Sequence, residues 1–310
     1  MLSRLRRWLA TDTPSADRPP TDPAAGNPPA AAEALAAWTE DRISDEWFAS
    51  HFRYAADVVH EALSPVLDPQ VSSLLDFGCY DGTTALGLML RRGWRRVIGV
   101  DIDPGFDALP RMAREQIGLA QLPRGLEFRR MLPNESLAPI GRVDAIMSWS
   151  VFEHVERSIL DRVVADFHCV LAPGGYCFLQ VDPLFYSPQG SHLGRFATAP
   201  WAHLRMTEAE LQRFVMAAAP GTVPADEITE QFRSMSFDEY KQFIFRHYQE
   251  LNRVSADELI ALFTRNGFTL VWEKRRRTVE PIPADLLARH DEDLLRTCEI
   301  FALFRSAPAK

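Results

Sequence analysis

The chain contains 310 residues, 46% of them hydrophobic, and its 34 Lys and Arg against 42 Asp and Glu give a net charge of −8. This composition excludes a disordered polymer and predicts a globular protein of one large or two small domains, while the acidic balance disfavours binding to long nucleic acid. The four cysteines lie too far apart for a zinc site or a disulfide framework, so no metal site is predicted.

The first 43 residues differ in composition from the rest of the chain. Six of the 22 prolines fall between residues 11 and 30, which predicts a disordered linker without a core. Residues 1–9 place leucines and Trp8 on one side of a short helix and arginines largely on the other. A weak peripheral membrane contact and a frayed tail therefore both stay open. Because residues 1–9 lack the apolar segment of a secretory signal and no apolar run has the length of a membrane span, we expect a cytoplasmic protein.

A folded domain is predicted over residues 44–310. Apolar residues at helical spacing between Trp47 and Val59 open it, and this helix ends before Pro65. Short apolar runs then alternate with helical stretches, as in a parallel α/β sheet. The predicted strands are Ser73–Asp76, Val97–Asp101, Leu126–Arg129, Val143–Ser148, Tyr176–Val181, Phe268–Lys274 and Cys298–Arg305. The predicted helices between strands are Thr83–Arg92, Phe106–Gly118, Arg157–Leu171 and Ala256–Asn266, with Pro173-Gly174-Gly175 as a stop and turn.

The alternation is interrupted after Val181 by an insertion, residues 183–254, that is too long for an ordinary loop. Two S/T-x-x-E capping boxes, at Thr207–Glu210 and Ser236–Glu239, predict helices inside it, and a third at Ser255–Glu258 opens the helix that follows. Since the insertion follows the fifth strand at the carboxyl edge of the sheet, we expect it to fold over the cleft as a lid.

The segment Leu74–Gly82 ends the first strand and opens the first helix of the sheet, the place where a doubly wound fold binds a nucleotide-like ligand. A dinucleotide loop needs G-x-G-x-x-G, but counting from Gly78 the later positions are Tyr80 and Thr83, so a pyrophosphate is not expected. Asp101 ends the second strand, where its two oxygens can accept both hydroxyls of a ribose.

Four stretches, in this order, resemble class I S-adenosylmethionine-dependent methyltransferases, in particular the bacterial group often called type 11 or type 12 methyltransferase domains. The stretches are Leu75–Gly82 (LDFGCYDG), Val100–Pro104 (VDIDP), Asp144–Val155 (DAIMSWSVFEHV) and Leu171–Gly175 (LAPGG). The resemblance covers residues 71–181 well and 255–306 loosely. It implies a Rossmann-like, doubly wound α/β sheet of seven strands, mostly parallel, with an antiparallel last strand.

The resemblance also implies S-adenosyl-L-methionine as the cofactor and assigns its contacts. The loop with Asp76, Gly78, Cys79, Tyr80 and Gly82 is expected to hold the methionine part. The other implied contacts are Asp101 for the ribose, Ile102 for an adenine face and Ser148 for the sulfonium side. Family members often have an acidic residue after the third strand, but here Arg129-Arg130-Met131 follows, so no acidic contact to the adenine amino group is predicted.

Simpler interpretations of this loop stay open. Gly78 and Gly82 could be ordinary turn residues, and Asp76 or Asp101 could cap a helix. Cys79 fits a packed side chain better than a reactive thiol, because reactivity needs an exposed and electropositive setting.

The candidate catalytic residues are His154 and His192. Methyl transfer from a sulfonium requires alignment and removal of the acceptor's proton, which a neutral histidine can take near pH 7. His154 follows the fourth strand, and it could act as a base, bind a metal with Glu153, or pack and cap.

Three further residues of the insertion are candidates for substrate binding, namely Tyr186, Trp201 and His203. They are of the types that line pockets with an apolar wall and a few polar groups. The alternative is that the aromatic residues form a small core of the insertion and the histidines are satisfied within it.

The sequence therefore predicts a methyltransferase acting at oxygen or nitrogen of a small-molecule or lipid-linked acceptor. Two other functions stay open, a catalytically silent cofactor-binding protein that acts as a sensor or assembly partner, and a protein or RNA methyltransferase. The basic runs at 91–96 and 274–277 could contact RNA, but they lack the interleaved aromatic residues of a stacking platform.

Overall fold

A computed structural model describes residues 37–223 and 235–307. The predicted membrane contact of residues 1–9 and the proline-rich linker lie outside the described residues, as do residues 224–234 of the insertion.

A seven-stranded sheet in the order β3-β2-β1-β4-β5-β7-β6 forms the centre of the described chain. Strands β1 to β5 pair in parallel, and β7 runs antiparallel to both β5 and β6, which confirms the predicted fold class. The strands are β1 (Ser73–Phe77), β2 (Arg96–Asp101), β3 (Leu126–Arg130), β4 (Val143–Trp149), β5 (Leu171–Val181), β6 (Phe268–Arg277) and β7 (Thr297–Ser306).

Helices cover both faces of this sheet. The helix α1 combines Glu46–Ala49, the π-helical Ser50–Ala55 and Ala56–Leu63. The next helices are α2 (Thr83–Arg92), α3 (Leu109–Ile117), α4 (Leu160–Val170), α5 (Ala202–Arg205), α6 (Glu208–Met216), α7 (Phe237–Glu250), α8 (Ala256–Arg265), α9 (Ala284–Leu287) and α10 (Glu292–Arg296). Short 3-10 turns lie at Glu40–Arg42, Gly105–Ala108, Ala138–Ile140 and Arg157–Ile159.

The alternation of side chains along β1 divides the core between the two faces. Leu74 packs with residues of α1 and α2, whereas the next residue, Leu75, packs with residues of α4 and α8. Both side chains are fully buried. Strands buried on both faces give the continuous apolar runs from which the sheet was predicted.

The fifth strand begins earlier than predicted. Pro173-Gly174-Gly175 was expected as a turn before a strand at Tyr176, but Leu171 already pairs with Val143, and the three residues lie in an irregularity of the ladder. Gly174 adopts a φ of +74°, which lets the strand bulge without breaking. The preceding helix α4 accordingly ends at Val170.

The folded part begins before the predicted boundary at residue 44. The Thr39 N–H donates to the Ile117 carbonyl at 3.0 Å, and Trp38 packs edge-on against Phe52. Glu40 accepts hydrogen bonds from Arg53 at 2.6 Å and from a second arginine, on α2, at 2.7 Å. These partners are distant in sequence, so composition alone did not reveal the segment as part of the domain.

The described part of the insertion contains helices, as expected. All three predicted capping boxes are present, at Thr207, Ser236 and Ser255. Its buried side chains form a cluster of their own, which includes Phe185, Leu193 and Tyr240. None of the helices in the described ranges combines the length and apolar character that spanning a bilayer requires.

Candidate functional site

The carboxyl ends of β1, β2 and β4 meet at one edge of the sheet. The chain order reverses between β1 and β4, and such a switch point is where open α/β sheets bind ligands. Asp76 lies opposite Gly99 of β2 and Met147 of β4. The sheet thus brings the ends that carry Asp76, Asp101 and Ser148 to the same edge, as the sequence predicted.

Two glycines of the β1–α2 loop are required by packing within the protein. Gly78 and Gly82 have φ angles of +81° and +76°. A Cβ atom at Gly78 would lie 2.2 Å from a methyl of Val151, and one at Gly82 would lie 2.4 Å from the ring of Phe128. At both glycines the backbone therefore lies close to neighbouring side chains of the protein. This close approach fixes the path of the loop and the start of α2.

Asp76 is a buried carboxylate that lacks a full set of partners. Its side chain is 2% exposed, and Oδ2 has no hydrogen-bond partner. Burial raises the pKa of Asp76 well above its ordinary range, and the nearby carboxylates of Asp101 and Asp81 raise it further. Three acidic groups at one strand end favour a positively charged ligand, because a cation would relieve both the desolvation and the repulsion.

Asp101 holds the loop in place and keeps acceptor capacity. One of its oxygens accepts from the Tyr80 N–H at 2.7 Å and the other from the Asp103 N–H at 2.9 Å. Each carboxylate oxygen has two lone pairs, so each can still accept a hydroxyl. The neighbouring Ile102 is 57% exposed and offers an apolar surface at this edge.

The other cofactor-binding candidates lie in different surroundings. Ser148 is fully buried, and its hydroxyl has no partner. The thiol of Cys79 is 7% exposed and lies close to Gly99, so it packs in the interior, and burial raises its pKa. Tyr80 is partly buried with its ring edge-on to Trp47.

Sequence reasoning missed the part that Asp81 and Trp47 play. The Trp47 indole N–H donates to Asp81 at 2.9 Å, and the other Asp81 oxygen accepts from the Thr83 N–H at 2.9 Å. Helix α1 is thereby tied to the start of α2. Asp81 lies inside the glycine loop and could have been suspected, but nothing local in the sequence pairs it with Trp47.

A second group of polar side chains follows β4. Glu153, His154 and His192 have ligand atoms that all lie within 4.8 Å of one another. The His154 and His192 rings meet edge to face with centroids 5.1 Å apart, and His247 of α7 lies 5.9 Å from His154. The structure thus brings together the two residues predicted as catalytic, one from the sheet edge and one from the insertion.

Both imidazoles of this pair are held neutral near pH 7. Burial and, to a smaller extent, the neighbouring His247 lower the pKa of His192 to about 4, although the Pro183 backbone acts to raise it. His154 is exposed in part, but the protein atoms around its ring still remove water from it. This desolvation lowers the pKa of His154, and the nearby His192 and His247 lower it as well. Neutral imidazoles can accept a proton or bind a metal.

Two of the three residues predicted to bind substrate are buried and bonded to the backbone of the insertion. Trp201 is 1% exposed, and its indole N–H donates to the Tyr186 carbonyl at 3.0 Å. His203 is also buried, with Nε2 2.7 Å from the Phe185 carbonyl. His203 thus packs inside the insertion, edge-on to Phe185, whereas Trp201 packs with Leu286 and Leu295 outside it. Tyr186 lines a cavity of about 280 Å³ shared with residues around 255–257 and 291–297. Substrate binding by the three residues stays a prediction.

Three of the five described non-glycine residues with a positive φ adjoin these polar groups. Tyr80, Ser150 and His192 all adopt positive φ angles, of 47°, 51° and 58°, although none is glycine. Such conformations are costly and persist where the surrounding structure imposes them, often at functional sites. In each case the strained residue adjoins one of the two polar groups.

The basic runs are engaged within the domain. Arg276 pairs with Glu299 at 2.7 Å and with Asp182 at 2.6 Å, and Arg275 pairs with Asp257 at 2.5 Å. Similar pairs engage Arg91, Arg92, Arg96 and Arg277.

Comparison with known proteins gives one family match. The model of a family described as a methyltransferase domain matches residues 48–273. None of the curated protein sequences matches the chain.

Several solved structures are similar at low sequence identity. An S-adenosylmethionine-dependent methyltransferase from Mesorhizobium loti is 17% identical, with 81% of this chain and 99% of that chain covered and a TM-score of 0.45. One from Methanosarcina mazei is 17% identical, with 80% and 98% covered and a TM-score of 0.47. Magnesium protoporphyrin IX methyltransferase from Synechocystis PCC 6803, solved with bound SAH, is 12% identical, with 84% of each chain covered and a TM-score of 0.46.

Proposed function

Since the chain belongs to the family of methyltransferase domains and is an S-adenosylmethionine-dependent enzyme, we propose that it methylates an oxygen or nitrogen atom of a small-molecule acceptor. The acceptor lies between the carboxyl edge of the sheet and the insertion. The observation that carries this proposal is the buried, unpartnered oxygen of Asp76 beside two further carboxylates.

The residues of the first polar group fit the cofactor. S-adenosylmethionine carries positive charge on its sulfonium and on its ammonium group, and Asp76 offers a buried acceptor that no protein group uses. The free acceptor capacity of Asp101 suits ribose hydroxyls, and the exposed Ile102 suits an adenine face. The free hydroxyl of Ser148 supplies one more polar contact. When bound, the cofactor supplies an electrophilic methyl group on sulfur.

The second polar group, with His154 and His192, suits the acceptor. An attacking oxygen or nitrogen must lose a proton, and two neutral imidazoles next to a buried carboxyl group can promote that loss. The insertion supplies His192 and, through α7, His247. Its placement there would exclude water from the reaction and orient the acceptor, which is most of what in-line transfer requires.

The ion pairs of the described surface favour a small acceptor over RNA. The arginine runs that might have contacted RNA are paired with carboxylates of the same domain. A lipid-linked acceptor is a variant of the same proposal, and it would draw on the membrane contact predicted for residues 1–9, which lie outside the described residues. The cytoplasmic location likewise stays a prediction.

Calorimetry with S-adenosylhomocysteine and NAD tests the cofactor side of the proposal. We expect saturable binding of S-adenosylhomocysteine and none of NAD, because the loop lacks two of the three glycines of a dinucleotide site. Binding of NAD, or of neither compound, would contradict it. The acceptor side is tested by screening hydroxyl- and amine-bearing metabolites for formation of S-adenosylhomocysteine.

A further inference from the structure

Glu153 is a second buried carboxyl group without a partner, and it lies outside the cofactor contacts. It is 2% exposed, and neither Oε1 nor Oε2 has a hydrogen-bond partner among the described residues. An ionised carboxylate in such a place is costly unless a cation accompanies it.

The neighbours of Glu153 have the chemistry of metal ligands. His154 and His192 each bring a ring nitrogen, and all three ligand atoms lie within 4.8 Å of one another. With bonds of about 2.0–2.2 Å and tetrahedral angles, two ligand atoms of one ion lie roughly 3.3–3.6 Å apart. Side-chain rotations that move these atoms by about 1 Å, by that estimate, bring the three to one ion.

His192 has a ring nitrogen available for a metal ion. Its Nε2 is buried and has no hydrogen-bond partner among the described residues. A neutral imidazole nitrogen of this kind is a common metal ligand. The left-handed backbone of His192, with φ of +58°, holds the side chain in this position at some cost in strain.

The remaining two ligands are held by the turn after β4. The His154 N–H donates to the Val151 carbonyl at 2.8 Å, and the Glu153 carbonyl accepts from the Asn252 N–H at 2.7 Å. Asn252 closes the insertion, so both ends of the insertion contribute to the geometry around Glu153. A site assembled from fixed turns needs little reorganisation to bind an ion.

We propose that Glu153, His154 and His192 bind a divalent transition-metal ion, represented by Zn²⁺, beside the methyl acceptor. Two imidazoles and one carboxylate are a common ligand set for Zn²⁺ and for Fe²⁺, and three protein ligands leave a position open. The position of this ion beside the acceptor rests on the proposed function. The acceptor is then an oxygen compound, and its hydroxyl group binds the ion at the open position. Coordination lowers the pKa of such a hydroxyl, so its proton is lost near neutral pH.

Titration of the full chain with Zn²⁺ after removal of metal with EDTA tests the site directly. We expect one bound ion by calorimetry, a rise in the melting temperature, and a visible absorption spectrum when Co²⁺ is used in place of Zn²⁺. Glu153→Gln keeps the volume of the side chain but removes its charge, and it should weaken Zn²⁺ binding at least tenfold. His192→Ala should do the same.

His60→Ala is the matched control, since it removes a partly buried histidine of α1 and should leave Zn²⁺ affinity unchanged. If His192→Ala fails to fold, the Zn²⁺ affinities of Glu153→Gln and His154→Ala test the site instead. Absence of saturable binding, or unchanged affinity in the folded ligand variants, overturns the proposal. S-adenosylhomocysteine binding by the same preparations separates the two hypotheses: a protein that binds it but not Zn²⁺ refutes the metal site alone, and one that binds only Zn²⁺ refutes the proposed function alone.

Discussion

Replacing Asp76 with Asn should weaken cofactor binding while leaving the free protein as stable as before, or more stable. Asp76 is 2% exposed, and its Oδ2 has no hydrogen-bond partner in the described part of the chain. A charge-assisted hydrogen bond to a cationic ligand is worth about 1.5–3 kcal/mol, so affinity for S-adenosylhomocysteine, which keeps the ammonium group, should fall roughly 10- to 150-fold. In the free protein the same substitution removes repulsion from Asp101 and Asp81.

The pH dependence of stability has a definite sign. The pKa of Asp76 in the folded state lies above its ordinary value of 3.8, so the folded state binds more protons than the unfolded state between those two values. Stability therefore falls as pH rises through that window, because the buried group must ionise. Asp76→Asn does not ionise, so its stability advantage over the wild type should grow from about pH 4 upward and then level off.

Calorimetry and thermal unfolding at several pH values measure both effects. Cofactor binding should release protons from the wild type, which appears as a dependence of the binding enthalpy on the buffer, and the variant should release fewer. Asp107→Asn, an exposed acid near the same edge, is the control and should change neither quantity. A variant that binds S-adenosylhomocysteine like the wild type, or that is markedly less stable at neutral pH, would refute the reasoning.

The other predictions concern four positions. Asp101→Ala should lower affinity for S-adenosylhomocysteine by about 2–4 kcal/mol by calorimetry, since two charge-assisted bonds are lost, and unchanged affinity would place the ribose elsewhere. Trp201→Ala should lower the free energy of unfolding by about 3–5 kcal/mol, and a loss below about 1 kcal/mol would show that this side chain is not part of a core. Gly82→Ala should cost about 1–3 kcal/mol in the same assay, because a Cβ would meet Phe128 at a positive φ. His192→Ala should leave S-adenosylhomocysteine affinity within about threefold of the wild type, and a loss above tenfold, about 1.4 kcal/mol, would move His192 to the cofactor.

Local patterns in the sequence were sufficient for the sheet and the cofactor edge. Most strands were short apolar or β-branched runs, and α2 was predicted with its observed bounds, Thr83–Arg92. The capping boxes were found because their two residues lie three positions apart. Asp76 and Asp101 could be placed together because parallel strands end at one edge.

The orientation of side chains in the insertion could not be predicted in the same way. Trp201 and His203 are of the types that line pockets, but their ring nitrogens bond to backbone carbonyls that no local pattern identifies. The sequence also could not predict that the Glu153 carboxyl group is buried without a hydrogen-bond partner, since this depends on residues that are distant in the chain. The packing of Trp38 and its neighbours depends on α1, α2 and α3 in the same manner.

At each end of the insertion, neighbouring buried side chains belong to two different hydrophobic cores. Leu184 and Val254 pack with the interior of the sheet, whereas Phe185 and Leu251 pack with the interior of the insertion. Apart from Trp201, which joins Leu286 and Leu295, the buried side chains of the two interiors are separate sets. Substitutions among the buried residues of the insertion cluster therefore leave the buried side chains of the sheet in place. If the acceptor binds at the insertion, as proposed, its chemistry can change while the packing of the sheet stays the same.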